Sequence, residues 1–90
     1  MLALWDPHKA ASNFTKHGIR FSDAESVLFD PLAITIEDST AGGEQRFVTL
    51  GEDALRRALV LVFTQSDTQV RLISARRATK NERRRYEEGV

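Results

Sequence analysis

The run Ala58-Leu59-Val60-Leu61-Val62-Phe63 limits most severely what this chain can build. Side chains alternate across a strand, so six consecutive apolar residues make a strand apolar on both faces, which is stable only at the covered centre of a sheet. The same run is far too short for the roughly 20 apolar residues of a membrane-crossing helix. It is the longest apolar run in the chain, and the core has to form around it.

The flanking sequence supplies partners for that strand. Leu2 to Trp5 reads as a short apolar strand, and Asp6-Pro7 as a cap carboxylate with proline at the first helical position. A helix over Pro7 to His17 follows, with Ala10 and Phe14 on one face and Gly18 as its left-handed stop. Ser22 with Glu25 reads as a capping box for a second helix, whose apolar face is Ala24, Val27 and Leu28 and which Asp30-Pro31 ends. The period then changes to two. Strands are expected over Leu32 to Glu37 and Gln45 to Leu50, with Ala41-Gly42-Gly43 and Gly51 to Asp53 as turns. After Phe63, Gln65 to Thr68 turns the chain into a strand from Val70 to Ala75, and Thr79 with Glu82 forms a capping box for a last helix. The order is β-α-α-β-β-β-β-α, an α/β chain of the α+β kind with a mostly antiparallel sheet packed by helices. Its 90 residues, 41% of them hydrophobic, make a single domain over 1–90 that buries roughly 60 to 65% of its unfolded surface.

Charge is distributed unevenly beneath a formal net charge of zero. From residue 56 onward the basic residues are Arg56, Arg57, Arg71, Arg76, Arg77, Lys80, Arg83, Arg84 and Arg85, against the acids Asp67, Glu82, Glu87 and Glu88. Between residues 21 and 55 Arg46 is the one base among Asp23, Glu25, Asp30, Glu37, Asp38, Glu44, Glu52 and Asp53. A local field follows the clusters rather than the sum, so neutrality does not argue against a polyanionic ligand. The absence of cysteine excludes a disulfide framework and a thiolate metal site, and suits a reducing cytoplasm. Met1 to Trp5 meets Asp6-Pro7 at once, without the basic flank or the apolar length of a secretion signal.

Two histidines nine positions apart, His8 and His17, match no metal-ligand spacing, and no cofactor is expected. His8, in a first helical turn, reads as a solvated residue. Lys16-His17-Gly18 has two readings: favourable cations at a helix C-terminus, or a site for a side chain that titrates near neutrality. Trp5-Asp6-Pro7 reads as a packed aromatic and a cap. On the strand after Val70, strict alternation sets Leu72, Ser74 and Arg76 on one face and Arg71, Ile73 and Ala75 on the other. In the last helix Lys80, Arg83 and Arg84 recur at helical spacing, with Tyr86 among them as a possible stacking ring. Such a run serves either as a solvated, Glu-paired face or as a phosphate-binding surface. No aromatic RNA-binding strand motif and no zinc finger is present.

The ordered set Trp5-Asp6-Pro7-His8-Lys9-Ala10, Asn13, Lys16-His17-Gly18, Phe21, Ala24, Phe29-Asp30-Pro31, Gly43-Glu44-Gln45-Arg46, Gly51, Arg71 to Thr79, Glu82-Arg83-Arg84 and Tyr86-Glu87 resembles the BrnT toxins of bacterial type II toxin–antitoxin systems. The likeness covers nearly the whole chain. Gln45 stands where an acid is expected, and Leu72 where isoleucine is. The resemblance implies a RelE-like ribonuclease fold and RNA cleavage that arrests translation. It also implies a BrnA antitoxin with a ribbon-helix-helix portion, DNA contact only through that antitoxin, and a toxin homodimer in the complex. Metal-free RNA cleavage uses the 2′-hydroxyl as nucleophile, so the protein has to move protons and stabilise the phosphorane oxygens. On that chemistry His17 or Glu44 is the base or acid, and Arg46 and Arg76 are the phosphate ligands. Lys16 and Arg77 would hold the scissile strand, and Lys80, Arg83 and Arg84 the flanking backbone. The rival is a non-catalytic basic module that docks an antitoxin or coats nucleic acid.

Overall fold

The structure, a computed structural model, describes residues 3–38 and 45–89. Helix α1 spans Pro7–His17, as the sequence requires. The Asp6 carboxylate accepts the His8 N–H at 2.8 Å, a cap of the kind worth about 1 kcal/mol. Gly18 closes the helix at φ 72°, a left-handed turn open to glycine without steric penalty, and donates to the Phe14 carbonyl.

The next segment departs from expectation. Ser22 does not cap a helix; α2 spans Phe21–Ala24 behind Arg20 and continues into a 3₁₀ helix over Glu25–Phe29. The apolar spacing explains this. Phe21, Ala24 and Val27 are all buried and recur every third residue, which matches the three-residue turn of a 3₁₀ helix better than the 3.6 of an α-helix. Glu25, freed from capping, accepts the Ala3 N–H instead. The expected first strand shrinks to one parallel bridge, Leu4 to Arg71, and Leu2 lies outside the described residues.

Strands β1 (Ile34–Asp38), β2 (Arg46–Glu52), β3 (Ala58–Gln65) and β4 (Val70–Arg77) form an antiparallel sheet in that order, and α3 spans Lys80–Glu88. β1 begins later than expected because the Asp30 side chain and carbonyl accept from Leu32 and Ala33, folding 30–33 into a turn. The turn expected over Gly51 to Asp53 starts later as well. β2 continues through Glu52, and Gly51 serves close packing there: an added Cβ would lie 3.0 Å from the Ala33 Cβ and 3.1 Å from both the Asp30 carboxylate and the Val27 side chain. The turn itself is built by Asp53, whose carboxylate accepts from the Leu55 and Arg57 N–H groups and the Arg57 guanidinium. The expected turn at Ala41-Gly42-Gly43 lies outside the described residues.

β3 is central, as its composition demands. Leu59, Leu61 and Phe63 face the main core with Ile19, Phe21, Val27 and Leu72, while Val60, across from Leu50, lies on the opposite face. A bulge alters the expected facing of β4. Val62 pairs with Ser74 and Phe63 with Leu72, so Ile73 is the extra residue. Leu72 and Ala75 therefore both face the core, and Ser74 and Arg76 look the other way without Leu72, which corrects strict alternation. α3 crosses the second face, but none of its side chains is buried. It is held by polar clamps: Arg76 to Glu82 at 2.8 and 2.9 Å, and the Tyr86 hydroxyl to Asp30 at 2.6 Å. The Thr79–Glu82 capping box forms as expected. No helix among the described residues is long and apolar enough to cross a membrane.

Candidate functional site

Asn13 positions the first group of candidate residues. Its buried amide donates to the carbonyls of Ile19 and Ala75 at 3.1 and 2.9 Å, and its oxygen accepts the Ala75 N–H at 3.1 Å. α1 is thereby tied to the outer edge of β4 in place of a further strand. The tie leaves a hollow of about 260 Å³ between helix and strand, lined by Lys9, Ser12, Lys16, His17, Ile73 and Ser74 around Asn13. Lys9, Ser12 and Lys16 stack on one side of α1 by helical spacing, and the Ile73 bulge presents Ser74 to them. Lys16 and His17, paired by sequence logic, thus share a wall with Ser74.

Arg76 lies two residues beyond Ser74, on the order of 7 Å along the strand. Its guanidinium grips both oxygens of Glu82. That bidentate bond holds the Glu82 carboxyl down to about 2, against the opposing effect of burial, and raises the Arg76 guanidinium above its ordinary value. Arg46 opens β2 on the same face of the sheet, paired with Asp38 and Thr64. Among the described residues its buried Nε has no hydrogen-bond partner. The β3 partners of Arg46 and Arg76 are Thr64 and Val60, four residues apart, on the order of 13 Å. The two arginines share a surface but do not sit side by side. Glu44 lies outside the described residues.

The remaining basic candidates gather elsewhere. Arg77, Lys80, Arg83 and Tyr86 line a cleft of about 440 Å³ between α3 and the β2–β3 turn, together with Arg56, Arg57, Glu52 and Glu87. Arg84 is exposed and does not line it. Tyr86 is not a free stacking ring, because its hydroxyl is committed to Asp30. Burial, reinforced by that bond, pushes the phenol up to about 12. Burial alone would raise the Asp30 carboxyl, yet bonds from the Glu52 N–H, the Tyr86 hydroxyl and the Leu32 N–H prevail and hold it below its usual range. Asp30 is the residue that sequence reasoning undervalued, since it read Asp30-Pro31 only as a helix stop. Among the described residues no group of three or more His, Cys, Asp or Glu side chains could hold a metal ion.

An α+β domain with helices on both faces of its sheet, a cluster of cations and a histidine hollow at a sheet edge suits a small protein that meets a polyanion, and comparison with known proteins makes that class specific. The family described as "Ribonuclease toxin, BrnT, of type II toxin-antitoxin system" matches residues 5–82, and the chain belongs to it. Its fold is similar to that of the Brucella abortus ribonuclease toxin BrnT, known from a 1.1 Å crystal structure, with a TM-score of 0.64 and 25% sequence identity over 87% of this chain and 96% of that one. Comparison with curated proteins gives no match.

Proposed function

We propose that this ribonuclease toxin is a metal-independent endoribonuclease whose reaction is centred on the α1–β4 hollow and Arg76. The observation that carries the reading is the short step along β4 that joins the wall shared by Lys16, His17 and Ser74 to the guanidinium of Arg76. Removal of a proton from the 2′-hydroxyl lets it attack the adjacent phosphorus. The 5′-oxygen leaves with a proton, and a cyclic 2′,3′-phosphate remains. His17, whose imidazole lines the hollow, is the first proton carrier of this reading. Glu44 keeps its place as the second proton carrier. Arg76 supplies charge to the phosphorane oxygens, with Glu82 holding it until phosphate competes, and Arg46, on the far side of β3, contacts a more distant phosphate of the strand. Lys16 holds the scissile strand beside His17, with Arg77 holding it beyond Arg76. Lys80, Arg83 and Arg84 follow the flanking backbone, while Tyr86 contributes by fixing α3 rather than by stacking.

In this reading the chain arrests translation in the cytoplasm, and a BrnA-type antitoxin with a ribbon-helix-helix portion neutralises it and carries the DNA contact. The toxin forms a homodimer within that complex. The rival non-catalytic module has one observation in its favour, the neutralisation of Arg76 by Glu82. The two separate on induction of the chain alone in a bacterial host, beside Arg76→Ala and His17→Gln versions confirmed as folded. A nuclease gives growth arrest and RNA decay that His17→Gln slows by roughly 10²- to 10⁴-fold, and cleavage that survives a chelator. RNA left intact by soluble wild-type protein, or cut at the wild-type rate by both variants, refutes the catalytic assignment.

A further inference from the structure

We propose that the cleft between α3 and the β2–β3 turn is a second RNA contact, a seat for the phosphate backbone that holds the strand without cutting it, with Arg56 as a principal cation. The choice of RNA as its ligand rests on the ribonuclease reading above; the cation cluster does not. The cleft shares no residue with the hollow that contains His17. Its cations converge from separate elements: Arg56 from the turn, Arg77 from the end of β4, and Lys80 and Arg83 from successive turns of α3. Among the described residues no carboxylate pairs with Arg77, Lys80 or Arg83. Arg56 reaches Glu52 only at 3.8 Å, with its side chain 87% exposed.

Arg56 carries the inference furthest because of its backbone. It is the one non-glycine among the described residues at positive φ, at 67°. The Asp53 bonds to Leu55 and Arg57 and the Arg56 N–H to the Asp53 carbonyl force that geometry on the turn. Glycine would adopt it without the Cβ clash that an arginine suffers. A long cation kept where the backbone favours glycine, on the rim of a basic cleft, points to work done by its charge. Forked guanidiniums on either side of a groove suit successive phosphates, and the ribonuclease family of the chain favours a polynucleotide over an acidic peptide.

The test measures binding apart from cleavage, with a 2′-O-methyl oligonucleotide that lacks the attacking hydroxyl, by fluorescence anisotropy across a salt series. Arg56→Gly is expected to keep or raise the thermal midpoint while affinity falls roughly fivefold to tenfold at 0.05 M salt, and the salt slope to shrink by about 0.7 for each lost contact. Arg77→Gln should behave alike. Arg20→Gln, which removes the same charge from a residue that stacks on Phe14 and does not line the cleft, should bind as wild type. Wild-type affinity in both cleft variants, or an equal loss in Arg20→Gln, overturns the proposal even where cleavage is intact. Cleft-dependent binding by a protein that cuts nothing keeps the cleft and rejects the nuclease reading. Loss of polyglutamate binding in the two variants, with oligonucleotide binding untouched, overturns the choice of RNA.

Discussion

Asn13 commits its whole amide to the chain around it, and so a polar side chain can be buried at 7% exposure in a helix whose other residues all meet solvent. Replacement by leucine would leave the Ala75 N–H and two carbonyls without partners at the edge of β4. We expect Asn13→Leu to cost about 2 to 4 kcal/mol in a urea titration, with the histidine hollow lost as well. Gly51 is bound by contact rather than by φ. Gly51→Ala would push its new methyl into Ala33, Val27 and the Asp30 carboxylate, and overpacking of this sort costs about 1 to 3 kcal/mol by the same measurement. Neither role shows in the sequence. Asparagine is a poor helix former and so stands out inside α1, but only the fold reveals that its partner lies 62 residues away.

Among the elements, α3 is the one without an apolar anchor. Its attachment rests on Glu82 and Tyr86, and the signs of their shifts bracket a pH window. The Glu82 carboxyl is held at about 2, below its ordinary 4.5, so its stabilising bond to Arg76 is complete above the ordinary value and lost as pH falls towards about 2. The Tyr86 phenol is raised to about 12 from 10.0, so the Asp30 bond is complete below the ordinary value and lost as pH rises towards about 12. Amide hydrogen exchange should therefore show α3 opening ahead of the sheet at either extreme. Tyr86→Phe should speed exchange in α3 near neutrality while leaving β3 unaffected, and uniform acceleration across both would contradict local docking. α1 was fully legible in the sequence because its start and stop are local chemistry, a capping aspartate, a proline and a glycine. The second helix was not. Ser22 and Glu25 fit a capping box on paper, but burial of Phe21, Ala24 and Val27 set a tighter winding, and local capping yielded to packing.

For the whole molecule, the acidic middle and basic end read from composition interleave, since Arg57 reaches Asp23 and Asp53 and Glu52 lines the basic cleft, and the cations fall into separate groups. Lys16 and His17 meet β4 at one place; Arg77, Lys80 and Arg83 meet the β2–β3 turn at another. Residue types were enough to nominate these side chains, whereas their grouping needed the sheet order, which carries the turn after β2 to the foot of α3. Arg56 shows why: it was one base among many until its neighbours across the turn were known. A toxin with two phosphate contacts should bind longer single strands with a steeper salt dependence than short ones. The expected difference in slope, for oligonucleotides that span one contact or both, is about 0.7 per phosphate gained.

The extra residue in β4 carries a consequence of parity. A strand is a two-sided ribbon in which odd and even positions serve different masters, and Ile73 is where this ribbon changes hands. Excision of that single residue would leave the composition, charge and hydrophobic content of β4 almost intact. It would also force a choice between keeping Leu72 in the core and keeping Ala75 there, and whichever the chain honoured, Arg76 and Arg77 would trade sides or the upstream half of the strand would invert. The distinction between an arginine aimed at the second face and one aimed at the α3 cleft is thus written by one inserted backbone unit, and not by either arginine.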